Sequence, residues 1–153
     1  MHHDQVVDEL AIRTLVAMYT DAMNRSDADE AVRVYAEDGV LTMMDRPSVV
    51  GREQIAEVLR ATVAKYQLIT QMVHSGFVQL DGDRARARWQ VTELQVFNTG
   101  QRRFVVGRYE DELVRLAAGW RFTHRTFTAR YLGDVDLSGG VLPDAPPHFP
   151  TWP

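Results

Sequence analysis

Five side chains in this sequence have types and settings suited to moving protons: Tyr19, Asn24, His74, Glu93 and Arg125. His74 lies in LITQMVHSGFVQL, whose even positions Leu68, Met72, His74, Val78 and Leu80 are largely apolar. On a strand, an imidazole in that set faces an apolar space, where desolvation disfavours the imidazolium and leaves a neutral base. A core histidine hydrogen-bonded to backbone fits the same pattern. Glu93 lies in RARARWQVTELQVF, where Arg84, Arg86 and Arg88 alternate with Ala85, Ala87, Trp89 and Val91, and Glu93 continues the apolar set. An inward carboxylate is either the partner of an inward arginine or a second acid–base group whose neutral form burial favours.

In WRFTHRTF a regular strand puts Trp120, Phe122 and His124 on one face and Arg121, Thr123 and Arg125 on the other. Arg125 is then either a pocket cation, able to hold a carbonyl, a leaving anion or Glu93, or a solvated edge arginine. Tyr19 falls on an apolar helical stripe, where its hydroxyl either polarises a carbonyl or is satisfied within the core, and Tyr109 in GRYED has the same two readings. Asn24 ends that helix, where asparagine is a common cap. Asp21 falls opposite the stripe, toward solvent.

These groups need elements to position them. Ile12, Leu15, Val16, Tyr19, Ala22 and Met23 recur at the spacing of one buried helical stripe over residues 5–24. Ser26 followed by Asp29 predicts a capped second helix over 27–36, ended by EDG at 37–39, with VLTMM at 40–44 as a strand. A third helix is expected from Gly51 to Tyr66, with Ile55, Val58, Leu59, Thr62 and Val63 inward. Strands follow at 68–80, 84–97, 102–116 and 120–131, separated by the turn signals DGD, NTG and AAG. Three helices followed by antiparallel strands is an α+β order. Residues 1–131 make the domain. Residues 132–153 carry five of the six prolines together with Leu142, Phe149 and Trp152, and read as a strap over the pocket or over a neighbouring subunit.

Composition sets the outer limits. With 153 residues, 45% hydrophobic and 25% charged, the chain suits one soluble domain with one core. A net charge of −4 gives no general attraction to nucleic acid or anionic lipid. There are no cysteines, hence no disulfides or thiolate metal sites, and no histidines or carboxylates at metal-ligand spacing. No Gly-rich phosphate loop follows a strand. Asp4 and Asp8 interrupt the segment a secretory signal would occupy, so a cytoplasmic location is expected.

YTDAMNRSDADEAV at the first helix end, EDGV before the first strand, G-x-x-x-I at 51–55, the histidine in MVHSG and GRYEDELVR followed by GWRF together resemble the SnoaL-like branch of the NTF2-like superfamily. The branch includes scytalone dehydratase, bile-acid 7α-dehydratase and hexachlorocyclohexane dehydrochlorinase, and the likeness runs from about residue 8 to 131. It implies a cone-shaped, cystatin-like fold: three N-terminal helices on a curved, mostly antiparallel sheet. It also implies a histidine base, His74, held at the position of Asn24, where these enzymes carry an aspartate. An amide there orients the ring but does not neutralise the imidazolium. Tyr19 and Arg125 match further polar positions of the family.

The expected function is cofactor-independent acid–base chemistry on a small apolar cyclic molecule, by elimination or isomerisation, in a homo-oligomer (dimer or trimer). His74 is the base, Asn24 orients it, and Tyr19 and Arg125 stabilise charge. Glu93 and Tyr109 contact substrate, and Leu15, Met72 and Trp89 supply apolar walls. On this reading His74→Ala abolishes turnover, while Asn24→Asp keeps or raises it. The alternatives are a non-catalytic hydrophobic-ligand-binding or assembly domain and, third, an epoxide hydrolase, which needs two carboxylates and an arginine converging.

Overall fold

The computed structural model describes residues 3–143 apart from 135 and 137. Helix α1, His3–Asn24, buries the expected stripe of Ile12, Leu15, Val16, Tyr19, Ala22 and Met23. Asp27, not Ser26, caps the next helix: its Oδ1 accepts the Glu30 amide at 2.9 Å, while Ser26 takes a left-handed φ of 58°. That helix, α2, is shorter than expected. It spans Ala28–Ala31, tightens into a 3-10 turn at Val32–Val34, and gives way to strand β1, Tyr35–Met43. Val32, Val34 and Tyr35 are all buried, and β-branched and aromatic side chains of this kind pack more readily on a pleated surface than on a helix. The EDG at 37–39 therefore lies within β1 as an outward bulge, between the pairs Tyr35–Phe122 and Val40–His124.

After β2, Val49–Val50, Gly51 takes a φ of 94° that favours glycine, and α3 runs over Arg52–Val63 with Ile55, Ala56 and Leu59 buried. It ends before Tyr66, which opens β3. The remaining strands are β3, Tyr66–Asp81; β4, Arg84–Phe97; β5, Arg102–Leu116; and β6, Gly119–Gly133. They form one six-stranded sheet in the order β2-β1-β6-β5-β4-β3, antiparallel except where β1 meets β6. The helices lie on one face of this curved sheet, with α1 against β3 and α3 against β1.

Two bulges decide which side chains enter the cone. In β3 the pairing passes from Val73–Val91 to Gly76–Trp89, so one extra residue is taken up at His74–Ser75. Before the bulge the odd positions Ile69 and Gln71 point inward; after it Val78 and Leu80 pack on the core. The regular even-numbered face expected for this strand does not exist. In β6 the pairing passes from Leu113–Phe122 to Glu112–His124, which makes Thr123 the extra residue. The bulge puts Arg125 on the same side as Trp120 and Phe122, and all three are buried.

Strand β6 continues through Leu132 and Gly133, past the expected domain boundary at 131, and Leu142 is 83% exposed. Phe149 and Trp152 of the expected strap lie outside the described residues. Among the described residues, no helix is long and apolar enough to cross a membrane.

Candidate functional site

Between the helices and the inner face of the sheet lies a cavity of about 420 Å³. Its interior is lined by buried side chains, among them Met23, Leu41, Leu59, Ile69, Val105 and Tyr109. The exposed residues Met44, Asp45 and Arg46 after β1, Lys65 after α3, and Leu132 at the end of β6 mark its mouth.

Glu93 enters this cavity from β4 and is only 6% exposed. Gln71 Nε2 donates to its Oε1 at 2.9 Å, and Gln95 Nε2 donates to its Oε2 at 2.6 Å. Arg103 Nε in turn donates to Gln95 Oε1 at 2.8 Å, which fixes the Gln95 amide with its NH2 toward the carboxylate. Burial raises the proton affinity of Glu93, against the opposing pull of Gln95, Gln71 and the more distant Arg103 charge. Gln71 Oε1 is buried without a hydrogen-bond partner, so one acceptor in the cavity wall is left open.

Tyr19 and Tyr109 line the wall on the side of α1 and β5, their rings edge-on with centroids 6.2 Å apart. Burial raises the proton affinity of both hydroxyls, strongly for Tyr109, and keeps them neutral donors. Arg125 lies behind them. Its guanidinium is 4.6 Å from the Tyr19 ring centroid, 4.0 Å from Tyr109 and 4.2 Å from Phe122. Nε and Nη2 make a bidentate ion pair with Asp111 at 2.7 and 2.8 Å, and Trp89 Nε1 donates to Asp111 Oδ2 at 2.9 Å. Burial works against this charge, but the Asp111 carboxylate outweighs it and holds Arg125 protonated. Neither Arg125 nor Asp111 lines the cavity.

The expected His74–Asn24 pair is not brought into this space. His74 is exposed on the outer side of β3, its Nε2 2.8 Å from Thr92 Oγ1, because odd positions face the cone in the stretch of β3 that leads up to the bulge. Met72 is likewise outward and 37% exposed. Asn24 instead binds the backbone of Gln71: Nδ2 donates to the Gln71 carbonyl at 3.0 Å, and the Gln71 amide donates to Oδ1 at 2.6 Å. Asn24, His74 and Trp89 share only a shallow surface groove between α1 and β3, alongside Arg13 and Asp21, and Asp21 is paired with Arg25 at 3.0 Å. Leu15 is packed in the core and Trp89 is the support of Asp111, so neither is a wall of the main cavity.

Sequence reasoning passed over Gln71, Gln95, Arg103 and Asp111. Two of them carry a readable signal. Gln95 lies two residues beyond Glu93 on the inward face of β4, and Asp111 shares the inward face of Tyr109 and Leu113. Gln71 shares the face of Ile69 and Val73, which the apolar residues at even positions conceal.

Helices folded over a bent, mostly antiparallel sheet around a partly polar cavity define an NTF2-like protein with a cystatin-like fold. The chain belongs to the family of SnoaL-like domains, whose model matches residues 4–126. An uncharacterized protein of Mycobacterium tuberculosis is 27% identical over 128 residues, which cover 81% of this chain and 86% of that one. Among solved structures, a Novosphingobium aromaticivorans protein provisionally called an aromatic ring hydroxylase is 28% identical, with a TM-score of 0.79 over 84% of this chain and 93% of its own. A protein of the same organism provisionally called a scytalone dehydratase superimposes with a TM-score of 0.82 over 90% of this chain and 93% of its own, at 16% identity, a likeness of fold alone.

Proposed function

We propose that the cavity performs cofactor-independent acid–base chemistry on a small, largely apolar molecule, with Glu93 as the proton-transfer group. The observation that carries this reading is a carboxyl group 6% exposed in a partly polar cavity, its proton affinity raised by burial and its two oxygens oriented by Gln71 and Gln95. A carboxylate whose proton affinity is raised by burial both removes a proton and returns it more effectively than a solvated one. The carboxylate takes a proton from a carbon beside a carbonyl or beside a leaving group. Returning it to another carbon completes an isomerisation, and delivering it to the departing oxygen completes a dehydration. Tyr19 on α1 and Tyr109 on the neighbouring strand β5, neutral donors lining the same cavity, meet the oxygen on which negative charge develops. The chemistry of several family relatives, elimination or isomerisation, is of this kind.

A second reading is favoured by one feature. Both Glu93 oxygens already accept a hydrogen bond, which suits a ligand-binding cavity whose carboxylate is structural. It keeps the pocket and dispenses with turnover. The epoxide-hydrolase alternative has no comparable support: a second carboxylate, Asp111, does accompany Arg125, but both its oxygens are engaged and the pair is walled off from the cavity.

A panel of cyclic ketones, hydroxyketones and halides separates the two readings. Turnover that falls by about 10²–10⁴-fold in Glu93→Gln supports acid–base catalysis. Binding across the panel without turnover by the unaltered protein supports the ligand-binding reading.

A further inference from the structure

Three cations converge at the mouth of the cavity: Arg46 from the β1–β2 turn, Lys65 after α3, and Arg103 at the start of β5. Among the described residues none of the three is in an ion pair, although the protein as a whole carries a net charge of −4. Elsewhere on the surface, Arg13, Arg25, Arg60, Arg88 and Arg115 each have a carboxylate within 3.0 Å. The one carboxylate lining the mouth is Asp45, and Glu93 lies deeper inside. Tyr66 lines the same rim, and there the charges of Arg103 and, more weakly, Arg46 oppose the increase in proton affinity that burial causes. Below it the wall turns apolar, through Ile69, Phe97, Val105 and Phe127.

We infer that the molecule bound here is an amphipathic anion, a carboxylate on an apolar ring system, with the carboxylate held at Arg46, Lys65 and Arg103 and the ring inserted toward Glu93. The inference rests on reading the cavity as the reaction site. Three cations against one carboxylate at the rim leave a local positive charge that an anionic headgroup neutralises, and a guanidinium is suited to a two-point carboxylate contact. The Gln95 amide, placed between Arg103 and Glu93, separates the bound anion from the carboxyl inside. An overall negative protein with a locally positive entrance also focuses small anions on that entrance.

The test compares 2-naphthoate with 2-naphthamide, the same rings with and without charge, by isothermal titration calorimetry on the full chain. Naphthoate is expected to bind about tenfold more tightly than the amide. The double substitution Arg46→Gln, Lys65→Gln changes two exposed side chains and leaves Arg103 in place; it should reduce that preference severalfold and leave the amide's affinity unaltered. Equal affinities in the unaltered protein, a preference undiminished by the double substitution, or no binding of either compound overturns the inference. Glu93→Gln separates this from the catalytic reading, because it leaves the rim intact and should keep naphthoate binding. Loss of turnover in Glu93→Gln without naphthoate preference defeats the inference alone. Naphthoate preference with turnover unaffected by Glu93→Gln defeats the catalytic reading alone.

Discussion

Asn24 and Gln71 are joined by two hydrogen bonds, one donated and one accepted by the asparagine amide, at 3.0 and 2.6 Å. Strand β3 is an edge strand, so the outward backbone groups of Gln71 have no neighbouring strand to pair with. The amide of Asn24 supplies the missing donor and acceptor and ties the end of α1 to the sheet beside Glu93. An aspartate performs only half of this, since its carboxylate would face the Gln71 carbonyl.

Asn24→Asp should therefore destabilise the fold by about 1–3 kcal/mol in urea denaturation near neutral pH. Unchanged stability would show that the staple contributes nothing.

The raised proton affinity of Glu93 has a definite sign in the stability of the fold. Burial puts its folded pKa above the ordinary value of 4.5, with Gln95, Gln71 and Arg103 opposing but not cancelling the shift. The stability this carboxyl contributes is fully present below its unfolded pKa and is lost as pH rises through the folded one. Glu93→Gln avoids that loss, and the open Oε1 of Gln71 gives the new amide's NH2 an acceptor once the Gln71 amide turns over. The variant should be more stable than the unaltered protein at pH 8, with the difference closing as pH falls to 4. Thermal denaturation across that range checks it; a variant less stable at pH 8 contradicts it.

The pattern of residues made the fold legible and made half of the site misleading. Alternation in β4 is unbroken from Arg84 to Glu93, so the inward direction of Glu93 follows from its sequence. In β3 and β6 a bulge reverses the alternation partway along, and each strand has a further register shift nearer one end. Nothing local to MVHSG or FTHRT marks the reversal, because a bulge is decided by how the strand pairs with its neighbour. The family likeness placed His74 at a catalytic position, and the odd-inward register of β3 ahead of its bulge leaves it outward. Arg125, assigned to the face opposite Trp120 and Phe122, is turned inward by the bulge at Thr123. The second helix fell short of its expected length because a short capped segment runs into residues that bury better as strand.

The ion pair between Arg125 and Asp111 is fully enclosed, and removing one partner leaves the other charged without compensation. Asp111→Ala should cost about 3–5 kcal/mol in urea denaturation. Replacing both residues with apolar ones should recover part of that loss. A loss below about 1 kcal/mol in the single variant would contradict the structural role given to the pair.

Gly76 follows the β3 bulge closely enough to the β4 backbone that a side chain has no room. A Cβ there would overlap the Arg88 carbonyl oxygen and come within 2.5 Å of the Trp89 ring. Gly76→Ala should destabilise the protein by about 1–3 kcal/mol and disturb the pairing of β3 with β4. Amide hydrogen exchange faster in β3 than in β5 would register that disturbance; unchanged exchange would exclude it.

The central claim is that the proton moves through Glu93 and not through His74. Deuterium uptake beside the carbonyl of a cyclic ketone turned over by the protein, followed by proton NMR in D2O, reads that step in the unaltered chain, Glu93→Gln and His74→Ala. Uptake is predicted to collapse in Glu93→Gln and to persist within about threefold in His74→Ala, where only an exposed side chain is lost. Collapse in His74→Ala with uptake intact in Glu93→Gln would contradict the account.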